Sequence, residues 1–152
     1  MERALDADRF FASPYDRYLV AEGLAYWSAG PTLWGVTLWG TLSAASIAQL
    51  TAWIDAEHLR PHPPYATLVD LARIRAVDAD AIAKWQAWYA ATRHRQRHRL
   101  TRAAIVRPAE GLPAAVVAGM IKTPLAAACQ RRPRYYNCVL PVWNYRRLSI
   151  HL

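Results

Sequence analysis

Two histidine pairs have the spacing that a metal ion uses on a helix. His94 and His98 are four residues apart, which places both imidazoles on one helical face, and His58 and His62 have the same spacing. Pro61 interrupts the second pair, because proline breaks a helix. The first pair lies among arginines whose charge repels a cation, and no third ligand is near in sequence. We interpret His94 and His98 as part of a solvated helix end, and we expect no metal and no cofactor.

The sequence offers little support for catalysis. It contains no Gly-x-Ser-x-Gly elbow, no glycine-rich phosphate loop and no dinucleotide-binding fingerprint. Asp55, Glu57 and His58 are close in sequence, but on a helix end they lie on different faces. Catalytic triads assemble across a fold, so the missing motifs alone do not exclude an enzyme. On balance we expect a protein without enzymatic activity.

Arginine dominates the charged residues of the chain. Nineteen basic residues against eleven acidic ones give a net charge of +8, and seventeen of the nineteen are Arg. Residues 1–76 carry a net charge of −2 and residues 77–152 a net charge of +10. Such an excess permits binding to nucleic acid, to anionic lipid or to an acidic protein, and it does not choose among them.

Two arginine-rich segments are candidate nucleic-acid contacts. Residues 93–102 follow a predicted helix, and residues 131–147 interleave arginines with tyrosine and tryptophan, which combines cations with stacking faces. The candidate contacts are Arg95, Arg99, Arg131, Arg132 and Arg134. The alternative for the first segment is a solvated basic face. The alternatives for the second are a divergent last strand or an unstructured extension.

Two further features of the sequence indicate the cellular compartment and whether the chain enters a membrane. Cys129 and Cys138 follow no apolar signal segment, so we expect reduced thiols and a cytoplasmic protein. No charged residue occurs between Gly23 and Ile54, but a Gly-Pro pair and several Ser, Thr and Gln residues interrupt that stretch. We therefore expect no membrane insertion.

The order of predicted elements indicates an α/β fold. The chain has 152 residues, enough for one domain. Two strands that form an N-terminal hairpin come first, and helices and strands then alternate, which implies a mixed, mostly parallel sheet with helices packed on it. The strands are predicted at residues 17–29, 32–39, 65–69 and 103–106. The helices are predicted from an N-cap at Thr41 or Ser43 to about Glu57, from Asp78 or Asp80 onward, and at residues 112–122.

One pair of segments resembles a known family. Leu-Val-Asp at residues 68–70, followed by Val-Asp-Ala-Asp-Ala at residues 77–81, is similar to the STAS-like domain of anti-sigma-factor antagonists. There a strand ending in Asp precedes an Asp-Ser-Ser-Gly-like element that opens the next helix. Residues 31–36 and 106–112 resemble STAS-like regions placed ahead of an AraC-type DNA-binding domain in bacterial regulators.

The resemblance covers about residues 17–125 and implies one STAS-like domain. We place this domain at residues 1–128 and a basic aromatic tail at residues 129–152. No helix-turn-helix pair is expected after the last clear helix. A remnant of a longer regulator that has lost its output domain is therefore one further hypothesis.

The family's switch is a Ser or Thr that a partner kinase phosphorylates, and here Asp80 stands in its place. Aspartate cannot accept phosphate from such a kinase, so we expect no working phospho-Ser switch. Asp78 as a helix N-cap and Asp80 in the first helical turn are the structural interpretation. Alternatively, Asp80 imitates a permanently phosphorylated residue. The predicted partner-binding loop contains Arg73, Arg75, Asp78 and Asp80.

These observations lead to one expected function and one alternative. We expect a non-enzymatic bacterial signalling or transcription-regulatory domain that binds a protein partner, itself a regulator or kinase-like protein. The alternative is a nucleic-acid-associated protein that uses the Arg-rich second half. The partner's identity and the oligomeric state stay open.

Overall fold

The structure is a computed structural model, and it describes residues 1–61, 63–96 and 99–106. These residues form six strands and three helices. The strands are β1 (Glu2–Arg3), β2 (Arg17–Ala21), β3 (Leu24–Ser28), β4 (Leu33–Leu42), β5 (Tyr65–Val77) and β6 (Leu100–Val106). The helices are α1 (Ala7–Ala12), α2 (Ala44–His58) and α3 (Ala79–Gln96).

The six strands lie in one sheet in the order in which they occur in the chain. Strands β2, β3 and β4 form an antiparallel meander, whereas β1 with β2, β4 with β5 and β5 with β6 are parallel pairs. Helix α2 connects β4 to β5 and helix α3 connects β5 to β6. The two helices pack on each other and therefore cover the same face of the sheet. The α/β class and the mixed sheet with helices packed on it are confirmed.

The predicted N-terminal hairpin is present, because β3 pairs antiparallel with β4 across Gly30 and Pro31, but its first arm is two strands rather than one. Residues 17–29 form two strands, β2 and β3, which pair with each other across a turn at residues 22–23. Gly23 takes a φ of +73°, a left-handed conformation that glycine adopts without a steric penalty. Aromatic and β-branched residues on both sides of the turn made the segment look continuous, although Gly23 was a visible turn signal.

The predicted strand at residues 65–69 is also too short. Strand β5 has thirteen residues and continues through Asp70 to Val77. The predicted partner-binding loop is therefore strand at Arg73 and Arg75, and only Asp78 lies between β5 and α3. Strand β4 runs alongside for this whole length and supplies the backbone partners that keep the segment extended.

The helices follow their predicted positions where the structure describes them. Helix α2 begins after Ser43, whose hydroxyl accepts a hydrogen bond from the Ser46 amide at 3.2 Å. Helix α3 begins directly after Asp78. Strand β6 contains the predicted strand at residues 103–106 and starts three residues earlier. The predicted helix at residues 112–122 and the tail at residues 129–152 lie outside the described residues.

An aromatic core fills the space between the sheet and the helices. Phe10 of α1, Tyr26 of β3 and Trp34 of β4 are buried, with ring centroids 5.7 to 6.1 Å apart. Tyr26 also lies 6.3 Å from Trp53 of α2. Helix α1 was not predicted. It is capped by Asp6, whose carboxylate accepts a hydrogen bond from the Arg9 amide.

One tryptophan packs on the opposite face of the sheet, over a glycine. Trp27 pairs with Gly35 of the neighbouring strand, and its indole N–H donates to the Thr37 hydroxyl at 3.2 Å. A Cβ atom added at Gly35 would lie 2.0 Å from the Trp27 ring, closer than any non-bonded contact allows. The indole fills the space that a side chain at residue 35 would take, and Trp27 is only 6% exposed.

We expect Gly35→Ala to lower the free energy of unfolding by about 1–3 kcal/mol, since the added methyl group displaces the Trp27 ring. Urea denaturation of the wild type and the variant measures this difference. In a Trp27→Ala background the same change should cost much less. Equal costs in the two backgrounds would contradict the packing described here.

Candidate functional site

The four residues of the predicted partner-binding loop are all exposed and follow one another closely in the chain. Arg73 and Arg75 lie in the last part of β5, Asp78 joins β5 to α3, and Asp80 lies in the first turn of α3. We call these four residues the β5–α3 surface. The structure places them at the carboxyl ends of the parallel strands β4 and β5. Ligands of open α/β sheets usually bind at such ends.

Two β-bulges set the direction of the side chains in this part of β5. The register between β4 and β5 shifts twice, and each time β5 carries one extra residue. The Asp70 carboxylate accepts a hydrogen bond from the Ala72 amide at 2.9 Å, beside the first shift. Leu71 and Ile74 are both buried, although residues three apart in a regular strand face opposite sides. The bulges thus allow two apolar anchors inside while Arg73 and Arg75 stay exposed.

The other edge of this part of β5 carries no strand within the described residues. Strand β6 pairs with β5 only as far as Asp70, which lies opposite Val106. Bulges and charged side chains on a strand edge oppose the addition of another strand. The β5–α3 surface is therefore suited to contacts through side chains rather than to backbone strand addition.

Asp78 links the end of β5 to the beginning of α3 through its backbone. Its amide donates to the Leu42 carbonyl at 3.0 Å, and its carbonyl accepts from the Ile82 amide at 3.2 Å. Asp78 therefore has the backbone position of a helix N-cap, and Asp80 lies where a negative charge is favourable to the helix dipole. Both placements agree with the structural interpretation of these two residues.

The described arginines among the candidate nucleic-acid contacts already have protein partners. Arg99 donates from Nη1 to the carbonyl oxygens of His58 and Arg60, at 3.0 and 3.2 Å. Arg95 Nη1 lies 3.9 Å from the Asp55 carboxylate. The three further candidates are Arg131, Arg132 and Arg134, which lie outside the described residues.

Most of the net positive charge lies in residues 107–152, outside the described part of the chain. Residues 1–106 contain twelve basic and ten acidic residues, whereas residues 107–152 contain seven basic residues and one acidic residue. The two parts therefore carry net charges of +2 and +6. The nucleic-acid hypothesis depends mainly on residues 107–152.

A buried carboxyl group is the feature that sequence reasoning missed. Glu57, near the end of α2, is 1% exposed, and its Oε2 accepts a hydrogen bond from the Tyr26 hydroxyl at 3.2 Å. The His58 Nε2 atom lies 3.9 Å from the same oxygen. A signal was present, because Glu57 falls three residues after Ile54 and seven after Leu50, on the apolar face of α2.

The protein environment changes the acidity of this cluster. Burial raises the pKa of Glu57 to about 7, although the Tyr26 hydroxyl and the Arg99 charge both act to lower it. Burial and the neighbouring Glu57 raise the pKa values of Tyr26 and Tyr65 well above the ordinary range. Glu57 therefore changes charge near neutral pH, while both tyrosines keep their protons.

The cluster is a part of the core and not an open site. Tyr26 and Tyr65 are 3% and 7% exposed, so the Glu57 carboxyl is closed to a substrate in this conformation. Across residues 1–61, 63–96 and 99–106, no three His, Cys, Asp or Glu side chains are grouped to hold a metal ion. His94 is exposed, whereas His62 and His98 lie outside that range. No helix in the same range is long and apolar enough to cross a bilayer.

We expect the stability of the wild type to fall as the pH rises from about 4.5 to about 7. The folded state holds the Glu57 proton more tightly than the unfolded state, so stability is greatest below the unfolded pKa of 4.5 and the gain is lost by about pH 7. A shift of this size corresponds to at most about 3 kcal/mol. Urea denaturation across this pH range should show the fall in the wild type and not in Glu57→Gln.

Glu22→Gln is the matched control, because Glu22 is exposed and carries the same group. It should keep the pH dependence of the wild type. A Glu57→Gln variant with an unchanged pH dependence would show that another group is responsible.

Comparisons with family models, with curated proteins and with solved structures find no match to this chain. An α/β fold by itself hosts many unrelated functions. The function must therefore be argued from the surface that the described residues present.

Proposed function

We propose that this domain is a non-enzymatic protein-binding domain of bacterial signalling or transcriptional regulation. Its partner, a regulator or a kinase-like protein, binds the β5–α3 surface. One observation carries the proposal. The bulged end of β5 holds Arg73 and Arg75 exposed beside the two aspartates at the start of α3. The resemblance of residues 77–81 to the element that opens a STAS helix supports the same class of function, whereas β5 continues past Asp70 and does not end there as the strand of that family does.

The charges of this surface favour a protein over a nucleic acid. Two arginines lie next to two aspartates, so the surface presents both signs within eight residues. A nucleic-acid surface has an excess of positive charge clustered on one face, because each phosphate is negative. A protein partner can complement a mixed pattern, and such complementarity gives specificity and steers association.

The backbone beneath the surface is already fixed before a partner arrives. Leu71 and Ile74 anchor β5 in the core, and the Asp78 amide is bonded to the Leu42 carbonyl of β4. A rigid backbone reduces the entropy that is lost on binding. The side chains of Arg73 and Arg75 are then the main groups that must be ordered in a complex.

We expect the double variant Arg73→Glu/Arg75→Glu to lose its partner. Wild-type protein and variant are immobilised and incubated with a lysate of the source organism, and captured proteins are quantified by mass spectrometry. We expect at least about a tenfold loss of the specific partner, since charge reversal places like charges together across the interface.

Arg9→Glu/Arg93→Glu is the matched control, because both residues are exposed and the net charge changes by the same amount. It should retain the partner. A partner that binds all three proteins equally would contradict the proposed surface. Circular dichroism of each variant checks that the fold is intact.

Asp80→Ala separates the two interpretations of Asp80. If Asp80 only stabilises the start of α3, we expect the free energy of unfolding to fall by less than about 1 kcal/mol and partner capture to stay unchanged. Loss of capture without loss of stability would show instead that Asp80 takes part in binding, which favours the interpretation that it imitates a phosphorylated residue. Thermal denaturation and the capture assay provide the two measurements.

A further inference from the structure

One row of side chains crosses the sheet from edge to edge on the side of Trp27. Each member of the row is the register partner of the next, and register partners on neighbouring strands point to the same side of a sheet. From β1 to β6 the row contains Arg3, Tyr18, Trp27, Gly35, Leu68 and Ala104. We call its five uncharged members, from Tyr18 to Ala104, the outer stripe.

The outer stripe lies on the side of the sheet that the described helices do not cover. Tyr26 precedes Trp27 in β3 and therefore points to the opposite side, where it packs against Phe10 of α1 and Trp53 of α2. Trp27 does not belong to the core cluster that contains these three rings. Helix α3 packs on α2, on the side of Tyr26. Within the part of the chain that the structure describes, no helix packs on the outer stripe.

Trp27 is nevertheless buried. One side of its indole lies against Gly35, and the other side points away from the sheet. The residue is only 6% exposed, and Tyr18, Leu68 and Ala104 are half-buried. A broad apolar ring that faced water on one side would be unfavourable. The burial of Trp27 therefore indicates a further layer over the outer stripe.

The chain contains a suitable apolar segment directly after β6. Lys122 is the one charged residue between residues 111 and 129, and a segment of this composition needs burial on most sides. Strand β6 ends at Val106, two residues after Ala104 of the outer stripe. The five residues 107–111 can span up to about 17 Å, which is enough to turn from the end of β6 onto the sheet.

We propose that residues 112–122 dock on the outer stripe and form a second layer on the sheet, opposite α2 and α3. The dimensions agree. Five neighbouring strands spaced about 4.8 Å apart make the outer stripe about 19 Å long. The helix predicted at residues 112–122 would be about 16 Å long. Both apolar surfaces belong to one chain, so docking loses less entropy than the binding of a separate partner.

The charged neighbours of the outer stripe make a second copy of the chain a poorer occupant. Asp70 lies in the next row on one side and Arg102 in the next row on the other, both on the same face of the sheet. A stripe 19 Å long and about as wide as a helix offers roughly 200 Å², whereas a stable interface buries about 800 Å² on each partner. The apolar area therefore suits one short segment.

A nitroxide label at residue 122 of the full chain tests the docking. Lys122→Cys in a Cys129→Ser/Cys138→Ser background carries a single label, at the one charged position of the segment. The indole N–H signals of Trp27 and Trp53 report in NMR spectra on the two sides of the sheet. We expect the label to broaden the Trp27 signal at least about fivefold more than the Trp53 signal, since layers packed on a sheet lie about 10 Å from it.

Three results of this experiment would overturn the proposal. They are equal broadening of the two signals, stronger broadening of Trp53, and no broadening of either. A mixture of labelled protein with unlabelled, ¹⁵N-enriched protein is the control for contacts between molecules. Broadening of Trp27 in that mixture would show that the segment reaches a second copy, which also contradicts docking within one chain.

Hydrogen exchange of the Trp27 indole N–H provides a second readout. This group donates to the Thr37 hydroxyl under the proposed layer. We expect Val116→Asp/Val117→Asp to accelerate its exchange at least about tenfold, because two carboxylates would separate the segment from the apolar sheet.

Ala83→Asp/Ala87→Asp is the matched control, since both alanines are exposed on α3 and the net charge changes by the same amount. It should leave the exchange of the Trp27 indole unchanged. Exchange that is equally slow in the valine variant would contradict the docking, and the label decides the question if that variant does not fold. The docking does not depend on the proposed partner-binding function, which the capture assay tests separately.

Discussion

The end of a buried helix must satisfy its own carbonyl groups, and in this protein the end of α2 does so with a side chain from another element. The last carbonyls of a helix have no intrahelical partner. Arg99 bonds two carbonyls of this region, those of His58 and Arg60. These two bonds hold the residue just before β6 against the end of α2, while the backbone pairing with β5 sets the place of β6 in the sheet. Arg99 also brings a positive charge toward Glu57, which makes a carboxyl group tolerable in an aromatic core.

A second constraint acts at the other end of β5. Leu71 and Ile74 both pack in the same core, and a regular strand cannot bury two residues that are three positions apart on one face. The bulges resolve this conflict, and they have a consequence for function. They leave Arg73 and Arg75 exposed on a strand that is firmly anchored from below. The proposed binding surface is thus a by-product of how the core is packed.

The two ends of β5 therefore differ in their exposure to solvent. Tyr65, at its beginning, belongs to the buried cluster around Glu57, whereas Arg73 and Arg75 near its end are exposed. The carboxyl end of the strand is the usual place for ligands in an open α/β sheet, which agrees with the proposed partner surface. The amino end is closed by α2, whose buried Glu57 has a pKa raised to about 7.

The sequence by itself determined the alternation of strands and helices, and it narrowed the start of α2 to Thr41 or Ser43 and the start of α3 to Asp78 or Asp80. These features depend on local periodicity and on short-range hydrogen bonds, which a sequence displays directly. It also led to the prediction that the four residues of the β5–α3 surface bind a partner, and it placed Arg73 and Arg75 in a loop where the structure has strand. Only the tertiary structure decided that they lie in a strand, because β4 provides backbone partners from a distant part of the chain. Only the tertiary structure, likewise, joined Glu57 to Tyr26, Tyr65 and Arg99. Arg99 lies forty-two positions after Glu57 in the chain, and Tyr26 lies thirty-one positions before it. Long-range packing alone brings these residues together.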